Sequence, residues 1–272
     1  MDHEHLMSAK TSAAQTTTVI TGGGSGIGKA TALLFAKLNS RVFVGDLAFN
    51  EATVGEFAAV GITAVTCDVR LTEHISRLIQ QAFDSTGRLD VLVNNAGVGL
   101  VKQISDVTEK EWDNVLDTNL KAAFFGCKAA VAIMSQQDSG GSIVNVASNA
   151  GLLPRAHDPV YSISKMALVA LTRSLALCHS PQRIRVNCVC PGPVQNTQLI
   201  AENFEGCDDH QQVVQQLISA SPLANAWGRM VTPEEIAETI AYLASDSAQM
   251  VTGTSIAIDG GKSLGVPPQR NV

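Results

Sequence analysis

Short apolar runs rich in β-branched residues alternate along nearly the whole chain with stretches whose apolar residues fall three and four positions apart. No other feature limits the possible folds so tightly. The runs are Thr17–Thr21, Arg41–Asp46, Thr63–Cys67, Val91–Val93, Ser142–Ala147, Arg185–Cys190 and Ser255–Ile258. Between them, Ile27, Ala30, Leu34 and Leu38 form one stripe at helical spacing, and Ile75, Leu78, Ile79 and Ala82 form another. Strand–helix alternation builds βαβ units, and right-handed crossovers then give a parallel sheet with helices on both faces. Parallel strands are buried on both sides and need continuous apolar runs. The composition suits this, with 45% hydrophobic residues but only 4% aromatic, so Ala, Val, Ile and Leu must fill the core. The expectation is an α/β chain with one doubly wound sheet of about seven parallel strands.

No Pro/Gly/Ser-rich linker divides the chain, so residues 17–272 are expected to form a single domain behind a polar, flexible tail at 1–16. One segment, 193–230, interrupts the rhythm between the sixth strand and the last helix. It carries Glu202, Glu205, Asp208 and Asp209 and lies beyond a strand's carboxyl end, where open α/β sheets bind ligands. A lid over a substrate is favoured; a surface excursion is the alternative.

Charge and cysteine usage remove several classes of function. The net charge of -6 leaves no basic footprint for nucleic acid. No apolar run approaches the roughly 20 residues that cross a bilayer. Met1–Gln15 lacks the apolar stretch of a secretion signal, so a cytoplasmic location is expected. Cys67, Cys127, Cys178, Cys188, Cys190 and Cys207 are irregularly spaced and read as free thiols. Cys188 and Cys190 have no second pair to complete a zinc site, and His3, His5, His74, His157, His179 and His210 do not fall at ligand spacing. No metal is expected.

The first strand runs into Thr21-Gly22-Gly23-Gly24-Ser25-Gly26-Ile27-Gly28, and a helix follows at once. Glycines there let backbone N–H groups approach a pyrophosphate, and the helix N-terminus adds partial positive charge. Asp46 ends the second strand, 18 residues after Gly28. A carboxylate in that place accepts hydrogen bonds from ribose hydroxyls and repels the 2′-phosphate of NADP. Leu47 and Ala48 supply no basic residue, so NAD is the expected cofactor.

The Gly-x3-Gly-x-Gly spacing, followed in order by Cys67-Asp68-Val69, Asn94-Asn95-Ala96-Gly97, Asn119, Ser148, Tyr161-x3-Lys165 and Pro191-Gly192, resembles the short-chain dehydrogenase/reductase family. The resemblance runs from about Thr18 to Lys262. It implies a Rossmann-type fold. It implies that Asp68 faces the adenine with Val69 packed nearby, and that the backbone of Asn95, Ala96 and Gly97 lies along the cofactor. Asn94 is expected partly to brace the central strands. Pro191, Gly192 and Val194 would close over the nicotinamide. The family usually places Thr four residues after this glycine to hold the carboxamide; this chain has Asn196 there and Thr197 one later, and Thr197 is favoured.

Tyr161 and Lys165 share one face of a helical segment at i and i+4. A free tyrosine has a pKa of about 10, and a neighbouring ammonium is expected to lower it. Ser148, thirteen residues earlier, ends the fifth strand and is placed to hold a substrate oxygen while Tyr161 exchanges the proton. The resemblance implies the same roles: Tyr161 as general acid/base, Ser148 orienting the substrate oxygen, Lys165 binding the nicotinamide ribose, and Asn119 holding a proton-relay water.

Hydride chemistry belongs to the nicotinamide. The expected substrate is a small secondary alcohol or ketone of cyclic, diol or sugar type, in a pocket walled by Val98, Leu100, Leu152, Leu153 and Val194. Arg155 and His157 either touch the substrate or sit on a solvent-facing loop. The alternative activity is reduction of a 3-oxoacyl thioester on acyl carrier protein. Docking that acidic partner needs basic residues, whereas this chain has Met134-Ser135-Gln136-Gln137 and Leu177 at the relevant places. A non-catalytic NAD-binding protein is a third reading. The resemblance further implies a homotetramer. The tail Ser263–Val272 either reaches a neighbouring subunit or frays.

Overall fold

In a computed structural model that describes residues 15–153, 155–201 and 209–265, seven strands form one sheet. They are β1 (Thr17–Thr21), β2 (Arg41–Asp46), β3 (Thr63–Thr66), β4 (Val91–Asn94), β5 (Gly141–Val146), β6 (Ile184–Pro191) and β7 (Ser255–Ile258). Their order is β3-β2-β1-β4-β5-β6-β7, and every pairing is parallel. The order reverses between β1 and β4, which puts the ligand crevice of an open α/β sheet beyond Thr21 and Asn94.

The helices are α1 (Gly26–Lys37), α2 (Glu51–Ala59), α3 (Thr72–Thr86), α4 (Glu109–Leu116), α5 (Ala122–Met134), α6 (Pro159–His179), α7 (Gln198–Ala201), α8 (His210–Ser219), α9 (Pro222–Trp227) and α10 (Pro233–Ala244). Successive strand residues point to opposite faces, so each strand serves two cores. On one face, Val19, Phe43, Leu92 and Ile143 meet Leu78 of α3, Ala130 of α5 and Ala176 of α6. On the other, Ile20, Val42, Val44 and Val144 meet Ala32 and Phe35 of α1 and Ile236 and Ile240 of α10.

The stripe Ile75, Leu78, Ile79 and Ala82 is wholly buried on α3. The α1 stripe is rotated from its expected position: α1 buries Gly28, Thr31, Ala32 and Phe35, and Leu38 is exposed. The glycine turn sets this rotation. Gly28 must face Gly22 and Asn95, because a Cβ there would fall 2.3 Å from the Gly22 carbonyl oxygen. Residues three, four and seven places on then point inward.

Three other features position the site. Between α4 and α5, residues Asp117–Lys121 form one π-helical turn, which turns Thr118 and Asn119 into the protein. In 193–230, Val194 forms a parallel bridge with Val231, and Ile200, Ile218 and Met230 make a separate small core. Glu202, Glu205, Cys207 and Asp208 lie outside the described residues, as do 1–14, with His3 and His5, and 266–272; Asp209 caps α8 by accepting the Gln212 N–H at 2.9 Å. Finally, α6 with the short turn after it, Pro159–Gln182, is the one helix among the described residues long and apolar enough to cross a bilayer, with mean hydropathy 1.3. This departs from the sequence expectation, but half of that stretch is packed inside the protein, where α6 backs the sheet.

Candidate active site

The crevice beyond β1 and β4 is lined by backbone. Gly22 has φ +64, and a Cβ on it would lie 2.6 Å from Ala96 Cα, so the turn presses on the loop after β4. Asn95 clamps the two: its Nδ2 donates to the carbonyls of Thr21 (3.1 Å) and Gly22 (2.7 Å), while its own N–H donates to Thr21 Oγ1. Ser25 is exposed at the N-cap of α1 with no side-chain cap bond, and Gly26 and Ile27 open the helix. Such an N-terminus, with unpaired N–H groups and no acidic residue in its first turn, fits a phosphate.

Asp46 stands at the edge of this cradle, where its Oδ2 accepts the Gly24 N–H at 2.8 Å. Leu47 beside it is exposed. Asp68 is gripped by Arg70 through Nε (2.9 Å) and Nη2 (2.7 Å), which holds its carboxyl below the usual range. Val69 is buried in the α3-side core. Asn94 is structural: its Nδ2 donates to Asn145 Oδ1 at 2.9 Å, tying β4 to β5.

Pro191 is buried, and Gly192 packs on Asp259, where a Cβ would lie 2.8 Å from Cα. The Val194 side chain is buried in the α1-side core, and its backbone bridges Val231. Asn196 adopts a left-handed φ of +57, and this places Thr197 over the glycine turn, its methyl 3.2 Å from where a side chain on Gly26 would begin.

The proton-handling groups meet at the carboxyl ends of β5 and β6. Ser148 follows β5, is buried, and accepts the Ala150 N–H at 3.1 Å. Tyr161, on the first turn of α6, is buried close by, near enough for the Ser148 hydroxyl to favour its phenolate. Lys165 lies one turn further, its Nζ 5.8 Å from the Tyr161 ring centroid and donating to the Val146 carbonyl at 3.0 Å.

Burial dominates both titrations. Desolvation pushes the Tyr161 phenol above its ordinary value, opposed by the Ser148 hydrogen bond and the Arg155 charge and reinforced by Asp158 and Cys190. Desolvation also pulls Lys165 down to about 8. Burial thus outweighs the charges around it, and the net outcome is a phenol above its ordinary value rather than the lowered one expected from sequence; the Arg155 charge opposes that rise.

Asn119 reaches the cluster through the π turn. Its Oδ1 accepts the Val98 N–H at 2.8 Å, and its Nδ2 donates to the Val98 carbonyl and to Ser164 Oγ, each at 3.0 Å. Both amide hydrogens are thus engaged, which leaves a relay water only the second lone pair of Oδ1 or backbone atoms of the turn. Ser164, which sequence reading passed over, links Asn119 to the Tyr161 carbonyl at 2.7 Å. Only its place between Tyr161 and Lys165 signalled it. Gly97 fits the same knot: a Cβ would lie 3.2 Å from Lys165 Nζ and 3.3 Å from Asn119 Oδ1. Among the described residues, no three His, Cys, Asp or Glu side chains cluster as a metal ion would require. The described cysteines are free thiols.

A buried serine, tyrosine and lysine beside a phosphate-fitting glycine turn define the class of Rossmann-type oxidoreductases. A family model described as Enoyl-(Acyl carrier protein) reductase matches residues 22–263. An uncharacterized oxidoreductase of Thermotoga maritima is 37% identical over 247 residues, covering 90% of this chain and 96% of the relative. Thermoplasma acidophilum aldohexose dehydrogenase superposes with a TM-score of 0.83 at 28% identity, covering 95% of this chain and 98% of that one. Levodione reductase gives 0.85 at 27% identity over 92% and 98%. The chain belongs to the short-chain dehydrogenase/reductase family, whose members typically bind a nicotinamide cofactor.

Proposed function

We propose that the protein is an NAD-dependent dehydrogenase or ketone reductase acting on a secondary alcohol or ketone of cyclic, diol or sugar type. The observation that carries this is the buried group of Ser148, Tyr161 and Lys165 beside the glycine turn. A bound nicotinamide supplies the hydride acceptor or donor. The chain's own residues manage one proton. The Ser148 hydroxyl holds the substrate oxygen, and Tyr161 takes or gives the proton at its phenolic oxygen. Lys165, still largely protonated at neutral pH, holds positive charge at the site.

Asp46 supports NAD over NADP, since one oxygen is fixed by Gly24 and the carboxylate would meet a 2′-phosphate with like charge. Thr197, over the glycine turn, is favoured over Asn196 as a cofactor contact. The solved relatives named for an aldohexose and for levodione support a polar cyclic substrate. The segment 193–230 is read as the lid.

The description of the matching family model favours a second reading, a thioester reductase acting on acyl carrier protein. It ranks lower, because Leu177 is an exposed apolar residue and Gln137 is engaged with the backbone of Leu89 and Gly140. Neither offers charge to an acidic partner. A homotetramer is supported by exposed Trp112, Phe124, Ile163 and Met166 on α4, α5 and α6.

The test is a panel of secondary alcohols, sugars and cyclic diols with NAD and NADP, using wild type and Tyr161→Phe. General acid–base catalysis is worth about a hundredfold or more, so the variant should lose that much NADH formation while still binding NAD. An unchanged rate overturns the catalytic reading, and equal use of NADP overturns the role of Asp46.

A further inference from the structure

The loop between Ser148 and α6 is fastened to the helix it enters, and one fastening lies on the ring of Tyr161. The first is steric: a Cβ on Gly151 would fall 2.8 Å from the Lys165 carbonyl oxygen, so the turn after Ser148 presses on α6. The second is ionic. Arg155 pairs with Asp158 at 3.0 Å, and its guanidinium carbon stands 5.9 Å from the Tyr161 ring centroid. Asp158 is buried at the start of α6 and also accepts the Ser162 hydroxyl at 3.0 Å. One carboxylate therefore holds both the loop cation and the residue after Tyr161. The loop is also tied to the segment after β4, where Gln103 Nε2 lies 3.0 Å from His157 Nδ1.

A carboxylate removed from water needs partners, and Asp158, with 3% of its side chain exposed, has Arg155 and Ser162. Arg155 keeps 39% of its side chain in solvent, where an unanchored guanidinium would sample many rotamers. An ion pair with one exposed partner adds little stability. What it does fix is where the cation sits. A cation within about 6 Å of an aromatic centroid is drawn to the ring, and its charge favours a phenolate over a phenol. The other groups facing the Tyr161 side chain are Lys165, with Nζ 5.8 Å from the centroid, Ser148 after β5 and Cys190 at the end of β6. Glu109 of α4 lines a groove with Pro159, Val160 and Ile163 instead. Burial pushes the phenol up; the Ser148 hydroxyl and the Arg155 charge oppose it, and the Asp158 charge adds to it. Of the two cations at the ring, Lys165 donates to the Val146 carbonyl, whereas Arg155 is held by an acid.

We propose that Asp158 and Arg155 form a positioning clamp for Tyr161: the buried carboxylate holds the guanidinium on the ring and, through Ser162, fixes that charge to the first turn of α6. Both are positioning residues that act through Tyr161. Taken alone, Asp158 is an anion that disfavours the phenolate, so its value at this place lies in what it holds. The inference rests on Tyr161 as the acid/base and adds the pair of residues that tunes it.

The test is the pH dependence of kcat/KM for alcohol oxidation, which rises as the phenol ionises. Arg155→Gln should move the rising limb to higher pH by a few tenths of a unit. That is a loss of about two- to fivefold below the limb, regained on the plateau, the worth of an exposed cation on a ring. Arg155→Lys should keep most of the wild-type profile. A lower plateau with the limb in place would mean a merely structural role and overturn the clamp. Asp158→Asn is then compared in two backgrounds. In the Arg155→Gln protein it removes only an anion, so the limb should fall to lower pH. In the wild-type background it also releases Arg155, which cancels part of that fall. Equal displacement in both means that Asp158 does not act through Arg155, and overturns the clamp. Tyrosinate absorbance follows the same phenol without turnover, since Tyr161 and Tyr242 are the two tyrosines and Tyr161→Phe supplies the blank. Less ionisation in Arg155→Gln than in wild type at one alkaline pH supports the clamp even if Tyr161→Phe keeps its rate, in which case the acid/base reading fails alone. An unmoved limb and unmoved absorbance, with Tyr161→Phe inactive, overturn the clamp and leave the acid/base reading standing.

Discussion

At the scale of single residues, the site is governed by how little water reaches it. Lys165 shows the consequence for stability. Its ammonium titrates at about 8 in the folded protein, against 10.5 for an ordinary lysine. Between those values the unfolded chain binds the extra proton, so this residue makes stability rise with pH across that window. Below about 8 it is protonated in both states, and the burial penalty is fully present. Urea midpoints measured from pH 7.5 to 9.5 should therefore show wild type gaining on Lys165→Met as pH rises; parallel curves would contradict the buried ammonium. Gly97 gives a second test. Gly97→Ala puts a methyl 3.2 Å from Lys165 Nζ, so the ammonium must move. About a tenfold drop in kcat is expected with the circular dichroism spectrum unchanged, since a shift of this size at a reacting centre disturbs orientation before packing. The Tyr161–Lys165 pairing was legible in sequence because four residues make one helical turn. The role of Arg155 was not, because it depends on where a loop folds back over a ring.

At the scale of elements, the two sheet faces are held by helices whose ends are locally specified. Thr232 and Glu235 form a capping box at the start of α10, and Arg229 pairs with Glu235 at 2.7 Å. Thr232→Ala should cost about 1 kcal/mol in chemical denaturation, the usual worth of a threonine cap; no loss would mean that Pro233 and the packing on α1 hold the end unaided. The turn at Asp117–Lys121 acts through one side chain. Asn119→Ala leaves the Val98 N–H and carbonyl and Ser164 without their partner. A loss of about 1–3 kcal/mol is expected, together with reduced turnover. Alternation and caps are readable in sequence, since period and cap chemistry are local. The π turn and the rotation of α1 are not. The first depends on an asparagine finding Val98 across the crevice, and the second on glycine contacts between loops that are far apart in sequence.

At the scale of the whole molecule, exposed apolar side chains remain on the outer faces of α4, α5 and α6. Phe124 is 48% exposed, and it packs edge-on against Phe125. If these faces join subunits, Phe124→Glu should shift light-scattering mass from a tetramer towards smaller species while the far-ultraviolet spectrum holds. A wild-type protein that runs as a monomer would overturn the assembly.

The amino-acid order alone determined that this chain builds a parallel sheet covered on both faces, with a glycine turn after its first strand and an acid at the end of its second. It also determined that a tyrosine and a lysine share one helical face. Those features rest on local periodicity and on distances along the chain. Only the tertiary structure decided that Lys165 loses its water, that Asn119 ties Val98 to α6, that Val194 turns into the core, and that Arg155 folds back over the Tyr161 ring. Desolvation and charge pairing depend on neighbours in space, and those neighbours come from segments far apart along the chain.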